Sequence, residues 1–270
     1  MNTTQAVILA RGLGTRMRRS DGTTLEELER AAADAGAKGM MPVGRPFLEY
    51  VVSALADAGI GEVVIVVGPE SGAARDHFTR AAPPVRTTIR FAVQDQPRGT
   101  ADAVFAARDA VRNSPFLVLN ADNYYSPASL RSASSIGGNG LVAFDADVLV
   151  RESGIAPERV LRYALVDISP DDTLRSIHEK PAADDPLATA PERWVSMNLW
   201  SFTPMIFEAC QHVHLSPRGE LELQDAVGIA MREMGQVFRV VRARSGVLDL
   251  SQRADVAAVR ARLAGITPKP

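Results

Sequence analysis

The sequence holds one cysteine, three lysines, few aromatic residues and no apolar run long enough to span a membrane. The single cysteine, Cys210, excludes a disulfide within the chain and fits a reducing compartment such as the cytoplasm. It falls in an apolar helical pattern and reads as core filler rather than a nucleophile. The start, MNTTQAVILARG, has no basic stretch, and its apolar run is about five residues, too short for a signal peptide or a membrane span. Thirty basic and 32 acidic residues leave a net charge of −2, without the basic excess expected of a nucleic-acid binder. Internal repeats and low-complexity tracts are also missing, which excludes solenoids and disordered tails.

What is present describes a soluble globule. Its 270 residues, 46% of them hydrophobic, can bury a large core. Apolar β-branched runs alternate with helical patterns. Ala6–Ala10, Glu62–Gly68, Thr87–Val93, Phe116–Asn120 and Leu141–Phe144 read as strands. Helices are predicted over Phe47–Ala58, Ala73–Arg80 and Thr100–Val111. This alternation predicts right-handed crossovers and a mainly parallel sheet. From about Arg162 the rhythm changes. Tyr163–Ile168 and Leu174–His178 flank a turn and predict an antiparallel pair, followed by strand Trp194–Phe202 and a helix from Pro204. Helices Glu220–Met234 and Asp255–Leu263, with strands Val237–Val241 and Gly246–Leu250, complete the chain. Between them and the first strand, Thr24 and Glu27 have capping-box spacing, so a helix to Ala35 is expected inside a segment, 18–37, that reads as an exposed insertion or lid.

Three stretches carry chemistry. In Ala6–Met17, AVILARGLGTRM, a strand breaks into Gly12 and Gly14, where backbone N–H groups can approach a polyanion, and Arg16 offers a fork for phosphate. The third glycine of a dinucleotide fingerprint is replaced by Met17, and no Gly-Lys-Ser/Thr closes a Walker loop. A mononucleotide cradle remains. Between a strand and a helix lies QDQPRGTADA, where Gln94 can meet a base edge, Gly99 permits close approach and Thr100 can cap the helix. Asp122, just past a buried strand, stands where a Mg²⁺ ligand beside phosphates is expected, and Asp249 is a second acid in an apolar segment. Of the thirty basic residues only Lys38, Lys180 and Lys269 are lysines, which suggests sites that need a compact point charge.

Together these motifs, in this order, resemble the sugar-1-phosphate nucleotidyltransferases, the thymidylyl- and uridylyl-transferring members above all. LARGLGTRM is similar to the signature loop, Lys38 with Pro42-Val43 to the lysine motif after it, and Gln94 with Gly99-Thr100 to the base-binding segment. Asp122 and Asp249 match the two metal ligands, Glu179-Lys180-Pro181 the sugar-binding Glu-Lys-Pro, and Asn198 the sugar-binding asparagine. The resemblance implies a three-layer α/β/α Rossmann-like core with a mainly parallel mixed sheet and an antiparallel sugar-binding extension. It implies one domain, with a nucleotide-binding half over 1–145, a sugar-binding and second-metal-ligand half over 146–250, and a C-terminal helix and tail over 251–270. It implies transfer of a nucleoside monophosphate from an NTP, dTTP or UTP, to a sugar 1-phosphate by Mg²⁺-assisted in-line attack. Arg16, Lys38 and Lys180 would be catalytic. Leu9, Ala10, Gly12, Gly14, Thr15, Arg16, Gln94, Gly99 and Thr100 would bind the nucleotide. Asn123, Glu179, Lys180 and Asn198 would bind the sugar, and Asp122 and Asp249 the Mg²⁺.

Departures from that pattern are local. The loop between Arg16 and Lys38 is long, Ala37 precedes Lys38 where proline is common, and Leu199-Trp200 follow Asn198 where Thr-Gly is common, so a narrowed sugar pocket is expected. A non-catalytic nucleotide-sugar-binding regulator on the same fold is one alternative, weakened by the presence of Arg16, Lys38, Asp122, Lys180 and Asp249. A GT-A type glycosyltransferase is the other, weakened because Asn120-Ala121-Asp122 supplies half of an Asp-x-Asp motif. Partners expected are the NTP and the sugar phosphate, with neither nucleic acid nor membrane. A homo-oligomer is left open by the Met, Phe and Trp residues near the antiparallel extension.

Overall fold

The computed structural model describes residues 2–70 and 72–270. In chain order its elements begin with β1 (Gln5–Leu9), the single turn α1 (Thr15–Arg18), α2 (Glu27–Asp34) and a 3₁₀ turn over Lys38–Met40. They continue with α3 (Phe47–Asp57), β2 (Glu62–Val67), α4 (Gly72–Asp76) running into a π-helical turn, β3 (Thr88–Val93) and α5 (Thr100–Ala106). Then come β4 (Phe116–Asn120), β5 (Asn123–Tyr125), α6 (Pro127–Ser135), β6 (Gly140–Asp145) and α7 (Ala146–Ser153). After a 3₁₀ segment over Pro157–Arg162 follow β7 (Ala164–Ile168), β8 (Leu174–Glu179) and β9 (Trp194–Phe202). The chain closes with α8 (Ile206–Gln211), α9 (Leu223–Arg232), β10 (Arg239–Ala243), β11 (Val247–Asp249) and α10 (Asp255–Leu263).

The main sheet has the order β10-β6-β9-β4-β1-β2-β3. β1, β2, β3 and β4 pair in parallel, β6 pairs in parallel with β10, and β9 runs antiparallel between β4 and β6. The residues over 1–145 and 146–250 therefore share one sheet. The predicted antiparallel extension is present: β7 pairs with β8 and with β9. Strands such as EVVIVV are buried on both faces because helices cover both. Ala6 and Ile8 point into a core with α3, where Phe47, Leu48, Val51 and Leu55 sit. Val7, Val64 and Val66 point the other way, into a core with α5, α8 and α9. Successive side chains of one strand serve opposite layers, and the fold has three.

The structure adds helices that hydrophobic periodicity does not predict. α6 begins at Ser126, whose side chain accepts from Ser129 N, with Pro127 in the first turn. α7 begins at Asp145, which accepts from Asp147 N and Val148 N, and ends at Gly154 in the left-handed region. These cap signals were in the sequence, but the apolar stripes between them are short.

The segment 18–37 is corrected in two ways. The capping box falls two residues later than Thr24 and Glu27. Glu26 is the cap, and Glu29 at the third helical position accepts from Glu26 N at 3.0 Å. The helix is also docked rather than loose. Leu25, Glu29 and Ala33 are buried, Glu29 is bound by Arg260 of α10, and buried Arg253 holds Asp34 and the carbonyl of Met17. Gly36 at its end lies directly on Gly14, so close that a Cβ at either position would stand 2.5 Å from a backbone oxygen.

Leu199 and Trp200, expected at a sugar pocket, are fully buried in the two cores. Trp200 stacks on Phe202. The aromatic and Met residues of β9 are core too, which removes the proposed subunit contact at that strand.

Candidate active site

A cavity of about 630 Å³ opens at the carboxyl ends of β1, β2 and β4. Parallel strands end here in loops, so backbone and side chains from distant parts of the chain converge. Leu9, Ala10, Gly12, Gly14 and Thr15 line it from the first loop, and Gln94, Gly99 and Thr100 from the base-recognition stretch. Lys38 and Asp122 line it as well. The expected nucleotide residues are thus brought to one cavity, with one exception. Arg16 is exposed and lies outside the lining, between Thr15 and Arg18, which both belong to it. The cations of the wall are Arg11, Arg18 and Lys38.

Arg18 donates to the Ala35 carbonyl at 3.0 Å, closing the end of α2 over the glycine loop. Arg11 donates from Nε to the Gln94 carbonyl at 3.3 Å and pairs with Glu70 at 2.7 Å. Neither cation was expected in these places. Arg11 sits in the signature stretch, so its position was the available signal.

Gly99 has φ of 123° and ψ of 180°, and a Cβ there would stand 2.5 Å from the Leu221 carbonyl. Only glycine tolerates that conformation and that approach. The role of Thr100 is corrected: Gly99 caps α5, and Thr100 Oγ1 instead accepts from Leu223 N at 2.9 Å, at the start of α9. Leu221 N donates to Arg98 O at 2.7 Å, which stitches the loop before α5 to the far half of the chain.

At the end of β4, Lys38 Nζ donates to Asp122 Oδ2 at 2.7 Å, both side chains about one-fifth exposed. The second oxygen of Asp122, itself a cavity-lining residue, has no partner among the described residues. One free carboxylate oxygen beside a phosphate cradle suits Mg²⁺, which is commonly held by one or two carboxylates and completed by phosphates and water. Among the described residues, no cluster of three or more His, Cys, Asp or Glu could hold a metal unaided.

Asp249 is more deeply buried than Asp122 and is held by the side chains around it. Asn123 Nδ2 donates to Oδ1 at 3.2 Å, and Ser251 Oγ stands 2.8 Å from Oδ2. Arg159 and Tyr163 donate to Oδ2 at 3.0 and 2.7 Å. Three donors thus converge on Oδ2, while Oδ1 takes Asn123 and a longer contact from Ser251 at 3.0 Å. Burial and the neighbouring Asp122 push its carboxyl upward, opposed by Tyr163, Ser251 and Arg159. Asn123 lies beside it. Its side chain is buried and committed to Asp249 rather than turned to a sugar.

The remaining expected sugar residues gather beyond Glu220, which edges the cavity. Asn198 has φ of 60° at an irregular pairing of β9 with β6, and Lys180 has φ of 48°. Left-handed backbone at a non-glycine residue is strained, and such strain concentrates at functional sites. Gln224 Nε2 lies 3.3 Å from Glu179 Oε2 and 3.4 Å from Asn198 Oδ1, joining the two. Arg218 lies 3.5 Å from Glu179 and 2.7 Å from Glu222. Gln224 lies off the apolar stripe of α9, and Arg218 lies in the turn before that helix, where no sequence motif marks it.

Burial holds the Glu179 carboxyl above its ordinary value, Arg218 opposing and Glu222 and Glu220 assisting. A carboxylate whose native pKa is raised lowers stability above that pKa, and the penalty fades as pH falls through it and is gone below the unfolded value. Glu179→Gln is therefore expected to melt no lower than wild type at pH 7. Any gain should shrink between pH 7 and pH 4 in thermal scans.

Cys210 is buried in the second core, and burial pushes its thiol up to about 12, as filler requires.

The whole arrangement, from the first strand to α10, matches the nucleotidyl transferase family over residues 5–257. The chain belongs to that family. It is 28% identical to the UTP–glucose-1-phosphate uridylyltransferase AglF of Haloferax volcanii, covering 93% of each chain. A low-salt glycan biosynthesis nucleotidyltransferase of the same organism is 26% identical over 83% of this chain, which spans 56% of that protein's length. A solved UTP-bound UGPase from Acinetobacter baumannii superimposes with a TM-score of 0.75 at 20% identity, over 99% of this chain and 95% of that one. This last likeness is one of fold. Like those proteins, this nucleotidyltransferase has a mixed sheet between helical layers. No helix among its described residues is long and apolar enough to cross a membrane.

Proposed function

We propose that this nucleotidyltransferase takes an NTP, UTP or dTTP, and a sugar 1-phosphate, and releases an NDP-sugar and pyrophosphate in the cytoplasm. The observation that carries this reading is the Lys38–Asp122 pair in the wall of a cavity whose other wall is the Gly12–Gly14 loop. Triphosphate chemistry needs a backbone cradle and fixed cations, with a carboxylate available to a metal beside them.

An oxygen of the sugar phosphate attacks the α-phosphorus, the bond from that phosphorus to the β-phosphate bridge breaks, and pyrophosphate carries away the electron pair. Gly12 and Gly14 present their backbone to the phosphates, and Arg18 and Lys38 oppose the charge that grows on the leaving group. Arg16, exposed beside the loop, is available to the same group. Lys180 and Arg218 draw in the sugar phosphate, while Glu179, Asn198 and Gln224 bind hydroxyls. A divalent cation, Mg²⁺ by its chemistry, would rest on Asp122 and neutralise phosphate charge when bound. No side chain forms a covalent bond, so the catalysis is positioning and electrostatics.

The test is pyrophosphate release from each of the common NTPs with a panel of sugar 1-phosphates. Release that requires both substrates and a divalent cation supports the reading. Nucleotide-sugar binding without release across the panel would favour a regulator on the same fold.

A further inference from the structure

Gln94 is held more tightly than base contact alone requires. Its side chain is 3% exposed. Its N–H donates to Val67 O at 3.0 Å, and its carbonyl accepts from Arg11. Its side-chain nitrogen donates twice, to Gly99 O at 3.1 Å and to Asp102 Oδ2 at 2.7 Å. A backbone carbonyl and a carboxylate only accept, so the amide nitrogen must face them both. Oε1 is left as the one polar atom of Gln94 without a partner among the described residues, in a residue that lines the cavity.

Asp102 has no other assignment. Among the described residues it forms no ion pair, and its hydrogen bond goes to Gln94 Nε2. It stands at the third position of α5, where an acid favours the helix start, but that would be served by an acid pointing to solvent.

We infer that Asp102 is a positioning residue that sets base selectivity by fixing which way the Gln94 amide faces. This inference rests on the reading above that the cavity takes an NTP. With Oε1 toward the base, Gln94 accepts a ring N–H. Gly99 N–H, unpartnered among the described residues, supplies a donor next to it. A paired acceptor and donor match the N3–H and carbonyl of an imide, as in uracil and thymine. Cytosine offers a bare N3 beside an amino group, the reverse pattern. Were the amide to flip, Oε1 would face two acceptor oxygens and Nε2 would face the base, matching cytosine instead. Asp102 opposes that flip with a charge-assisted hydrogen bond, and Gly99 O with a neutral one.

The experiment is calorimetric titration of the intact protein and of its Asp102→Asn and Asp102→Ala variants with UTP, dTTP and CTP, alongside melting curves. Asparagine can donate as well as accept, and alanine does neither, so both free the amide to turn. The expected result is a wild-type preference for UTP and dTTP over CTP that falls by about tenfold in each variant. A merely structural role for Asp102 would weaken all three nucleotides together and leave the ratio unmoved. An unchanged ratio in folded variants overturns the inference. So does wild-type binding of nucleotides without preference for the imide bases, which leaves the nucleotidyltransferase reading standing. Failure of the wild type to bind any of the three would overturn both.

Discussion

Asp122→Asn is expected to lower turnover by about two to three orders of magnitude while the melting temperature stays within about 2 °C of wild type. The carboxylate is at the end of β4, at the edge of the cavity rather than in either core, and its ion pair with Lys38 is partly exposed. Pairs of that kind contribute about 1 kcal/mol or less. Asparagine keeps the shape and can still accept from Lys38. What is lost is negative charge where a divalent cation and a triphosphate must be organised, and charge stabilisation of that kind dominates phosphoryl transfer. Steady-state pyrophosphate release, with thermal scans on the same samples, checks both halves. Turnover near wild type would remove Asp122 from the metal site. A large fall in melting temperature would show that the carboxylate supports the fold instead.

Asp249→Ala is expected to do the opposite, lowering stability by about 3–5 kcal/mol and the melting temperature by about 10 °C. The side chain is 6% exposed and answers four donors. Removing it leaves the Arg159 guanidinium with Asp255 alone, at 2.8 Å, and leaves Tyr163 and Asn123 without their acceptor. Each buried donor left without an acceptor costs about 1–3 kcal/mol. The loss should appear in urea or thermal unfolding without added metal. If Asp249 were instead a metal ligand, the variant would melt as wild type does without metal, and would lose only the stabilisation that added Mg²⁺ confers. The two aspartates, alike in sequence context, are thereby separated by where their cost falls.

Sequence reading went furthest where local pattern and tertiary need agree. β4, β9 and α10 have the limits their apolar runs predict, and the glycine loop, Lys38, Gln94, Gly99 and Asp122 meet at one cavity as their motifs imply. It went less far where a partner distant in sequence decides. Thr24-x-x-Glu27 and Glu26-x-x-Glu29 both offer an acceptor and an acid at cap spacing. Arg260, more than 200 residues away, binds Glu26 and Glu29 and selects the second. Leu199 and Trp200 follow the strained backbone of Asn198, yet they point into the two cores, because the irregular pairing in β9 leaves Asn198 alone partly exposed.

By itself the sequence determined the alternation of strands and helices, the lack of an apolar run long enough to span a membrane as a helix, and most of the residues that meet at the cavity. These depend on the spacing of apolar positions, the chirality of crossovers and the freedom of glycine, all properties of short stretches. The tertiary structure decided how each of two buried-looking aspartates is bonded, which arginines line the wall, and which way Gln94 turns. Each of those is a matter of hydrogen-bond partners up to 126 residues apart. A carboxylate or an amide becomes a ligand, an anchor or a reader according to the lone pairs and protons its neighbours leave unused.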